Sequence, residues 1–301
     1  MKISGKFFLT EQGKITRRSK SMKVQKILLL AVCYFFIVAV SAQQMKIATF
    51  NIRYDNKRDS GNLWVDRAPI VSALIRFHDF DVFGTQEGLK NQHDDISRAL
   101  PEYTRYGLGR DDGKEKGEHS AIYFKTSEFK LLKSGDFWLS ETPDKPSLGW
   151  DATCCNRITS WVYLQHKKTG KKFYMFNAHF DHQGVKARKE SSLLILKKIR
   201  EIAAGQPAIF TGDLNGSQTS EWYLTLANSD ILKDSFKEVK YPYVNNASFN
   251  SFGKARKSFE IIDHIFSTKH FSASKWGILT DTYNGKFPSD HFPVVAYLTL
   301  K

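Results

Sequence analysis

Apolar and polar positions follow one another in short blocks along this chain, and the blocks define its elements. From Lys46 to Tyr54 small or apolar residues alternate with polar ones, which predicts a first strand. A loop rich in Asp, Asn and Gly follows, from Asp55 to Asn62. Trp64, Val65, Ala68, Ile70, Val71, Leu74 and Ile75 recur with helical spacing and predict a helix reaching Phe77. Residues 81–87 read as a short buried strand ending in an acid, and residues 94–100 as a second short helix stopped by Pro101. A glycine- and charge-rich loop from Gly107 to Gly117 precedes a strand over 121–124. Residues 137–140 and 158–164 are predicted strands around a loop holding Pro143 and Pro146. Another strand runs over 172–180. A helix over 187–204 carries Leu193, Leu194, Leu196 and Ile199 on one side, with Gly205 after its end. Residues 207–211 form a buried strand that breaks into Gly212-Asp213-Leu214-Asn215, and residues 259–266 form another. A last strand, Val294 to Leu298, is entered through a Pro-flanked turn containing Ser289-Asp290-His291. Many strands with three or four helices predict two packed sheets with helices outside. No repeat, low-complexity tract or Pro/Ser linker follows residue 42, so residues 43–301 read as one domain.

The N-terminus is expected to contribute nothing to that fold. Met22 opens a basic segment with Lys23 and Lys26, an apolar run follows from Ile27 to Val40, and Val40-Ser41-Ala42 supplies small residues for cleavage. That run is short against the ~20 residues of a membrane span. A removed export signal over about 22–42 is the expectation, with a periplasmic or extracellular product, and residues 1–21 as an over-extended start. The first 42 residues also carry half of the formal net charge of +14. The remaining basicity suits an anionic substrate and ordinary solubility alike, and does not by itself argue for nucleic acid. Cys154 and Cys155 remain. Adjacent cysteines have Cα atoms only about 3.8 Å apart, outside the usual disulfide range, so buried thiols are expected, and their spacing offers no zinc site.

Candidate chemistry lies where apolar strands end. Asn51, Glu87, Asn177 with His179, Asp213 with Asn215, and Asp290 with His291 all occupy such positions, and Asp263 lies within its strand. An acid in an apolar strand is costly to bury without a partner, so several of them argue for convergence. Carboxylates and amides without a Cys or His cluster suit a hard cation, Mg²⁺ or Mn²⁺, more than zinc. The histidines add acid–base capacity near neutral pH.

In this order, Thr49-Phe50-Asn51-Ile52, Gln86-Glu87, Asn177-Ala178-His179, Gly212-Asp213-Leu214-Asn215, Ile262-Asp263-His264-Ile265-Phe266 and Ser289-Asp290-His291-Phe292-Pro293-Val294 resemble the successive motifs of the endonuclease/exonuclease/phosphatase (DNase I-like) superfamily. The resemblance implies a four-layer α/β/β/α sandwich of two mixed sheets and Mg²⁺-dependent hydrolysis of a phosphoester. It implies Glu87 as the principal metal ligand, with Asn51 and Asp290 nearby. Asp213 would orient or deprotonate the attacking water, with His291 the alternative base, Asn215 would hold a phosphate oxygen or the metal, and Asp263 would fix the His291 ring. His179 would assist the departing group, with Glu118 as its carboxylate partner. Arg157, Asn177, Asp181 and Arg53 are candidate substrate contacts, with Tyr54 and His182 beside them. In-line displacement at phosphorus needs these parts: an activated water, a cation on the non-bridging oxygens and help for the leaving oxygen.

A broader set, Asn51-Ile52-Arg53-Tyr54-Asp55, Asn62-Leu63-Trp64, Phe137-Trp138-Leu139-Ser140 and Gly149-Trp150-Asp151, resembles exported bacterial metal-dependent hydrolases of that superfamily. The expected substrate is a phosphorylated small molecule, a lipid headgroup or a nucleic acid, with no stable protein partner and a monomeric chain. Loops bearing Trp64, Trp138, Trp150 and Trp222 suit a walled pocket for a smaller ester. The alternatives are an exported nuclease and, from another class, a catalytically silent binding domain on the same scaffold.

Overall fold

The computed structural model describes Met1 and residues 44–244, 246–254 and 260–301. The predicted export signal lies outside these residues. The contacts separate Met1–Ala42 from Gln43–Lys301, and every described strand and helix belongs to the second unit. Among the described residues no helix is long and apolar enough to cross a membrane.

The strands are β1 (Gln44–Asn51), β2 (Val82–Gln86), β3 (Tyr103–Tyr106), β4 (Ile122–Lys125), β5 (Phe129–Trp138), β6 (Ile158–His166), β7 (Lys172–His179), β8 (Ala208–Asp213), β9 (Lys233–Asp234), β10 (Asp263–Ser267), β11 (Phe271–Ile278) and β12 (Val294–Leu300). The principal helices are α1 (Trp64–His78), α2 (Lys90–Ala99), α3 (Val185–Ala203) and α4 (Glu221–Ala227). Two mixed six-stranded sheets result, in the orders β11-β12-β1-β2-β4-β3 and β5-β6-β7-β8-β10-β9.

Strand periodicity turns this topology into four layers. Successive side chains of a strand point to opposite faces, so each central strand feeds two cores. Met45 and Ile47 of β1, Phe173 and Met175 of β7, and Ile209 of β8 fill the core between the sheets. Their neighbours Ala48 and Phe50 pack under α1 and α2 with Val71, Ile75 and Ile96. Tyr174, Phe176, Ala208 and Phe210 pack under α3 and α4 with Ile195, Ile199, Tyr223 and Leu226. Three separate cores fill the three spaces of an α/β/β/α sandwich, the fold that the sequence predicts.

The inter-sheet faces change character along their length. On β1 the residues facing the opposite sheet read Met45, Ile47, Thr49, Asn51; on β7, Phe173, Met175, Asn177, His179; on β8, Ile209, Thr211, Asp213. The space is apolar at one end and polar at the other. The middle rank is a buried hydrogen-bond network. Gln86 Nε2 donates to Thr49 Oγ1 at 2.9 Å and Asn177 Oδ1 at 2.7 Å, and Thr211 Oγ1 donates to Asn177 Oδ1 at 3.1 Å. Gly84 lies on this face too: a Cβ there would come within 2.3 Å of Asn177 Oδ1.

Some elements depart from the sequence reading. The strand expected over 137–140 is the end of the longer β5, whose middle is an exposed edge carrying Lys130 and Lys133. The strand expected over 259–266 begins only at Asp263; before it, Ile262 and Asp263 donate their backbone N–H groups to Ser248 Oγ, and Phe259 lies outside the described residues. β3, β11 and α4 are additional elements. β11 is a sheet edge with a half-exposed middle and a register shift between Ala273 and Lys275, which erases any alternating pattern.

Candidate active site

The polar rank at the end of the sandwich follows from strand register. In the β7–β8–β10 sheet, His179 pairs with Asp213 and Asp213 with Asp263, so three candidates stand side by side across three strands. In the other sheet Asn51 pairs with Gln86, and the chain turns immediately afterwards. Glu87, Arg53 and Asn215, each at or just past a strand end, have φ of 65°, 54° and 45°. Non-glycine residues in the left-handed region cluster at functional sites, where surrounding structure holds them. These turns carry the side chains into one cleft of about 770 Å³, lined by residues of both sheets.

Asp213 is its hub. Asn51 Nδ2 donates to Asp213 Oδ2 at 3.0 Å and to Glu87 Oε1 at 3.1 Å, linking the two sheets. Asp213 Oδ2 lies 3.6 Å from His179 Nε2 and 3.7 Å from His291 Nε2. Its other oxygen accepts from the Asn215 N–H at 2.8 Å. His291 Nδ1 is 2.9 Å from Asp263 Oδ2, which leaves Nε2 facing the cleft, and the Phe249 ring packs on the imidazole at 4.8 Å. Asn215 Nδ2 donates to His179 Nε2 at 3.1 Å.

Burial sets the protonation of this cluster. Burial and the negative charge of Asp263 push Asp213 up to about 7. Burial opposes charge on His291, but Asp263, Asp213 and Asp290 outweigh it and hold the ring cationic, up to about 10. His179 is driven well below its ordinary value by burial and by the positive Arg157 and Arg110. Two histidines beside one carboxylate are thus held in opposite states, the pattern by which neighbouring groups acquire distinct acid–base roles.

A second group gathers the remaining acids. Glu87 Oε2 and Asp290 Oδ2 each lie 3.7 Å from the Arg53 guanidinium, which also pairs with Asp59 at 2.8 Å. Tyr54 N–H donates to Glu87 Oε2 at 3.2 Å. Burial and the charge of Glu87 push Asp290 up to about 6, so like charges crowd here. Oxygen donors crowded in this way fit a hard divalent cation. Asp213, Asp263 and His291 also have ligand atoms within 4.8 Å of one another. There, however, Asp263 Oδ2 is engaged by His291 Nδ1, and the pair reads as an oriented dyad; Glu87, Asp290 and Asn51 are the better donor set.

On the third side Arg110 Nη1 donates to Glu118 Oε2 at 2.5 Å. Glu118 is 3.9 Å from His179 Nδ1, too far for a hydrogen bond, and burial and Glu87 push it up to about 7. Arg157, 5 % exposed, lies 3.5 Å from Asp181 and reaches His182 Nδ1 at 2.9 Å.

Two of the sequence candidates are placed elsewhere. Asn177 is fully buried behind the site: its Nδ2 donates to the carbonyls of Thr85 and Ala121, and its Oδ1 is taken by Gln86 and Thr211. It does not line the cleft. Asp181 accepts the N–H groups of Gln183 and Gly184 at 2.8 and 2.6 Å, building the turn into α3 behind Arg157. Arg110, Asp59 and Phe249 belong to the site and were not marked in the sequence; a loop arginine among several loop charges carries no signal of its own. The cysteines also differ from expectation. Cys154 and Cys155 are not buried thiols: they form a disulfide on the rim of the cleft. They lie in an irregular loop over no core, where Cys154 is exposed and Cys155 partly so.

Known proteins resemble this chain in sequence and fold. A family model described as Endonuclease/Exonuclease/phosphatase family matches residues 48–291. An endonuclease/exonuclease/phosphatase family protein from Bacteroides thetaiotaomicron is 44% identical, with 86% of this chain and 96% of that chain covered and a TM-score of 0.83. A mannosyl-6-phosphatase from the same organism is also 44% identical, covering 85% of this chain and 100% of that one, with a TM-score of 0.83. Among curated sequences, an uncharacterized protein of Acanthamoeba polyphaga mimivirus is 27% identical over 83% of this chain and 98% of its own length. With the family's model spanning both sheets and the whole polar rank, this chain belongs to the endonuclease/exonuclease/phosphatase family.

Proposed function

We propose that the protein is a divalent-metal-dependent phosphoesterase that hydrolyses a phosphate ester of a small sugar. One observation carries the reading: a single buried carboxylate, Asp213, faces His179 at 3.6 Å and His291 at 3.7 Å and is tied to Glu87 through Asn51. A water beside Asp213 would give its proton to the Asp213–His291 pair, whose charges are coupled and which acts as a unit. Asp263 holds the His291 ring so that Nε2 faces the phosphate. Glu87, Asp290 and Asn51 would hold Mg²⁺, which when bound neutralises charge on the non-bridging oxygens. Arg157, whose Nε faces Asp181 and whose buried Nη1 has no hydrogen-bond partner, would turn that Nη1 to the phosphate. His179, kept neutral, would stand at the departing oxygen with Asn215 fixing its ring.

The sugar is argued from the cleft and from the relative whose whole chain is covered at 44% identity, a mannosyl-6-phosphatase. A cleft of about 770 Å³ suits a small ligand, and duplex recognition wants a longer basic face. An exposed disulfide is in keeping with an oxidising compartment, and we read the chain as exported. The test is a panel of mannose 6-phosphate, a simple phosphodiester and supercoiled plasmid, each with Mg²⁺ and with EDTA, for wild type and His291→Ala. The expected result is Mg²⁺-dependent phosphate release from the sugar ester, abolished in the variant. Plasmid nicking without sugar phosphate turnover would make it a nuclease. No turnover of any ester would make it a binding domain.

A further inference from the structure

We propose that the Cys154–Cys155 disulfide is the specificity-determining wall of the leaving-group subsite, against which the apolar face of a sugar ring packs. The proposal rests on the sugar phosphatase reading and adds which part of the chain selects the sugar.

The placement argues for a contact role. The disulfide lines the same cleft as Asp213 and His179. Arg157, two residues on from Cys155, reaches His182 on the chain that leaves His179, so the disulfide belongs to the His179 side of the cleft. That is the side on which the departing alcohol must lie. Phe249 belongs to the opposite side, on the His291 ring, and Tyr54 to the Arg53 corner, its ring 4.5 Å from that guanidinium. Beside Arg110, Glu118, Arg157 and His182, the two sulfurs offer an apolar surface on the leaving-group side.

Stability does not explain the bond. A disulfide stabilises by closing a loop, and the gain grows with loop length; a link between adjacent residues closes almost none. The loop is already held from both flanks. Asp151 accepts the N–H groups of Lys186 and Ala187 at 3.0 and 2.6 Å, Thr153 Oγ1 donates to Gln183 Oε1, and Asn156 Nδ2 donates to the Arg110 carbonyl at 3.3 Å. What the bond adds is a rigid, polarisable surface without hydrogen-bond demands. Such a surface suits the C–H face of a pyranose, whose hydroxyls then point to the flanking polar groups.

The experiment compares mannose 6-phosphate with methyl phosphate, whose leaving group is too short to touch the wall. Both are assayed with Mg²⁺ on oxidised protein, on protein reduced with a phosphine, and on Cys154→Ala/Cys155→Ala, with melting curves to confirm folding. Loss of the wall is expected to raise KM for mannose 6-phosphate about tenfold, the scale of one lost apolar contact, with kcat and the kcat/KM for methyl phosphate unchanged. An equal loss on both substrates would mean that the bond only positions Arg157, and an unchanged KM would mean that no ring packs there; either overturns the proposal. A second readout needs no turnover: mannose 6-phosphate should slow alkylation of the reduced thiols by iodoacetamide, followed by mass, while methyl phosphate should not. Equal alkylation rates with and without the sugar phosphate would refute the wall even in an inactive protein. Failure of every ester with the sugar still protecting the thiols would overturn the hydrolase reading alone.

Discussion

Asp263 shows how one buried side chain fixes the state of another. It is fully buried, and its Oδ2 meets His291 Nδ1 at 2.9 Å while its charge helps hold that ring protonated. Asp263→Asn keeps the shape and removes the charge, so the ring loses both its orientation and its counter-ion. We expect kcat to fall by about 10²–10⁴-fold, the usual worth of a positioned acid–base group, with an unchanged circular dichroism spectrum. A loss under tenfold in steady-state kinetics would show that His291 does not need its partner. His93 poses the opposite case, away from the cleft. It is buried against Tyr123, 2.8 Å from its hydroxyl, and burial and the positive Arg105 drive its pKa well below 6.5. A histidine depressed in the folded state contributes stability above its unfolded value; that contribution is lost as pH falls from about 6.5 toward the folded value, because only the unfolded chain takes the proton. His93→Gln should therefore lose less stability than wild type between pH 6.5 and 5, by up to about 1.4 kcal/mol per pH unit, read from urea midpoints.

At the scale of single elements, β2 decides how closely the sheets approach. Its inter-sheet face reads Val82, Gly84, Gln86, and the glycine is where Asn177 crosses from the other sheet. Gly84→Ala would drive a methyl into the Asn177 amide, which is held by four hydrogen bonds and cannot give way. We expect a loss of about 1–3 kcal/mol, seen as a lower urea midpoint, with activity reduced because Gln86 leads directly into Glu87. An unchanged midpoint would mean the sheets separate freely here. The same strand shows what the sequence makes legible. A buried strand ending in Gln86-Glu87 is a pattern of hydrophobicity broken by an acid, and β1, β7 and β8 repeat it, so the central strands and most of the site could be read from order and polarity. Asn177 carried the same signature as its neighbour His179, yet it sits one rank deeper. Which rank of a period-2 face reaches the cleft depends on how the sheets stack, and no single strand encodes that. The edge strands β5 and β11 were legible only in part because their exposed middles need no apolar residues, and Arg110 was hidden because its role comes from a neighbour, Glu118, across a loop.

For the molecule as a whole, the sandwich concentrates acids where its two sheets both turn polar. Glu87, Asp290, Asp213 and Asp263 come from two different sheets and the turn before β12, and each is held within a few ångströms of another carboxylate or of a shared cation. Arg53 and His291 carry the compensating charge, and burial together with the neighbouring carboxylates still pushes Asp213 and Asp290 up. The unfolded chain has no such concentration, so a divalent cation that binds these oxygens binds the folded state almost exclusively. Mg²⁺ should then stabilise the protein by mass action, by about 2.7 kcal/mol at a hundredfold excess over its dissociation constant. Thermal melts in Mg²⁺ and in EDTA should differ by several degrees, with K⁺ at matched ionic strength giving no shift. In Glu87→Gln the shift should shrink sharply, since the amide keeps the Asn51 contact but removes a charge from the donor set. A Mg²⁺ shift of full size in Glu87→Gln would move the cation away from the Glu87–Asp290 corner and toward the Asp213–Asp263–His291 group.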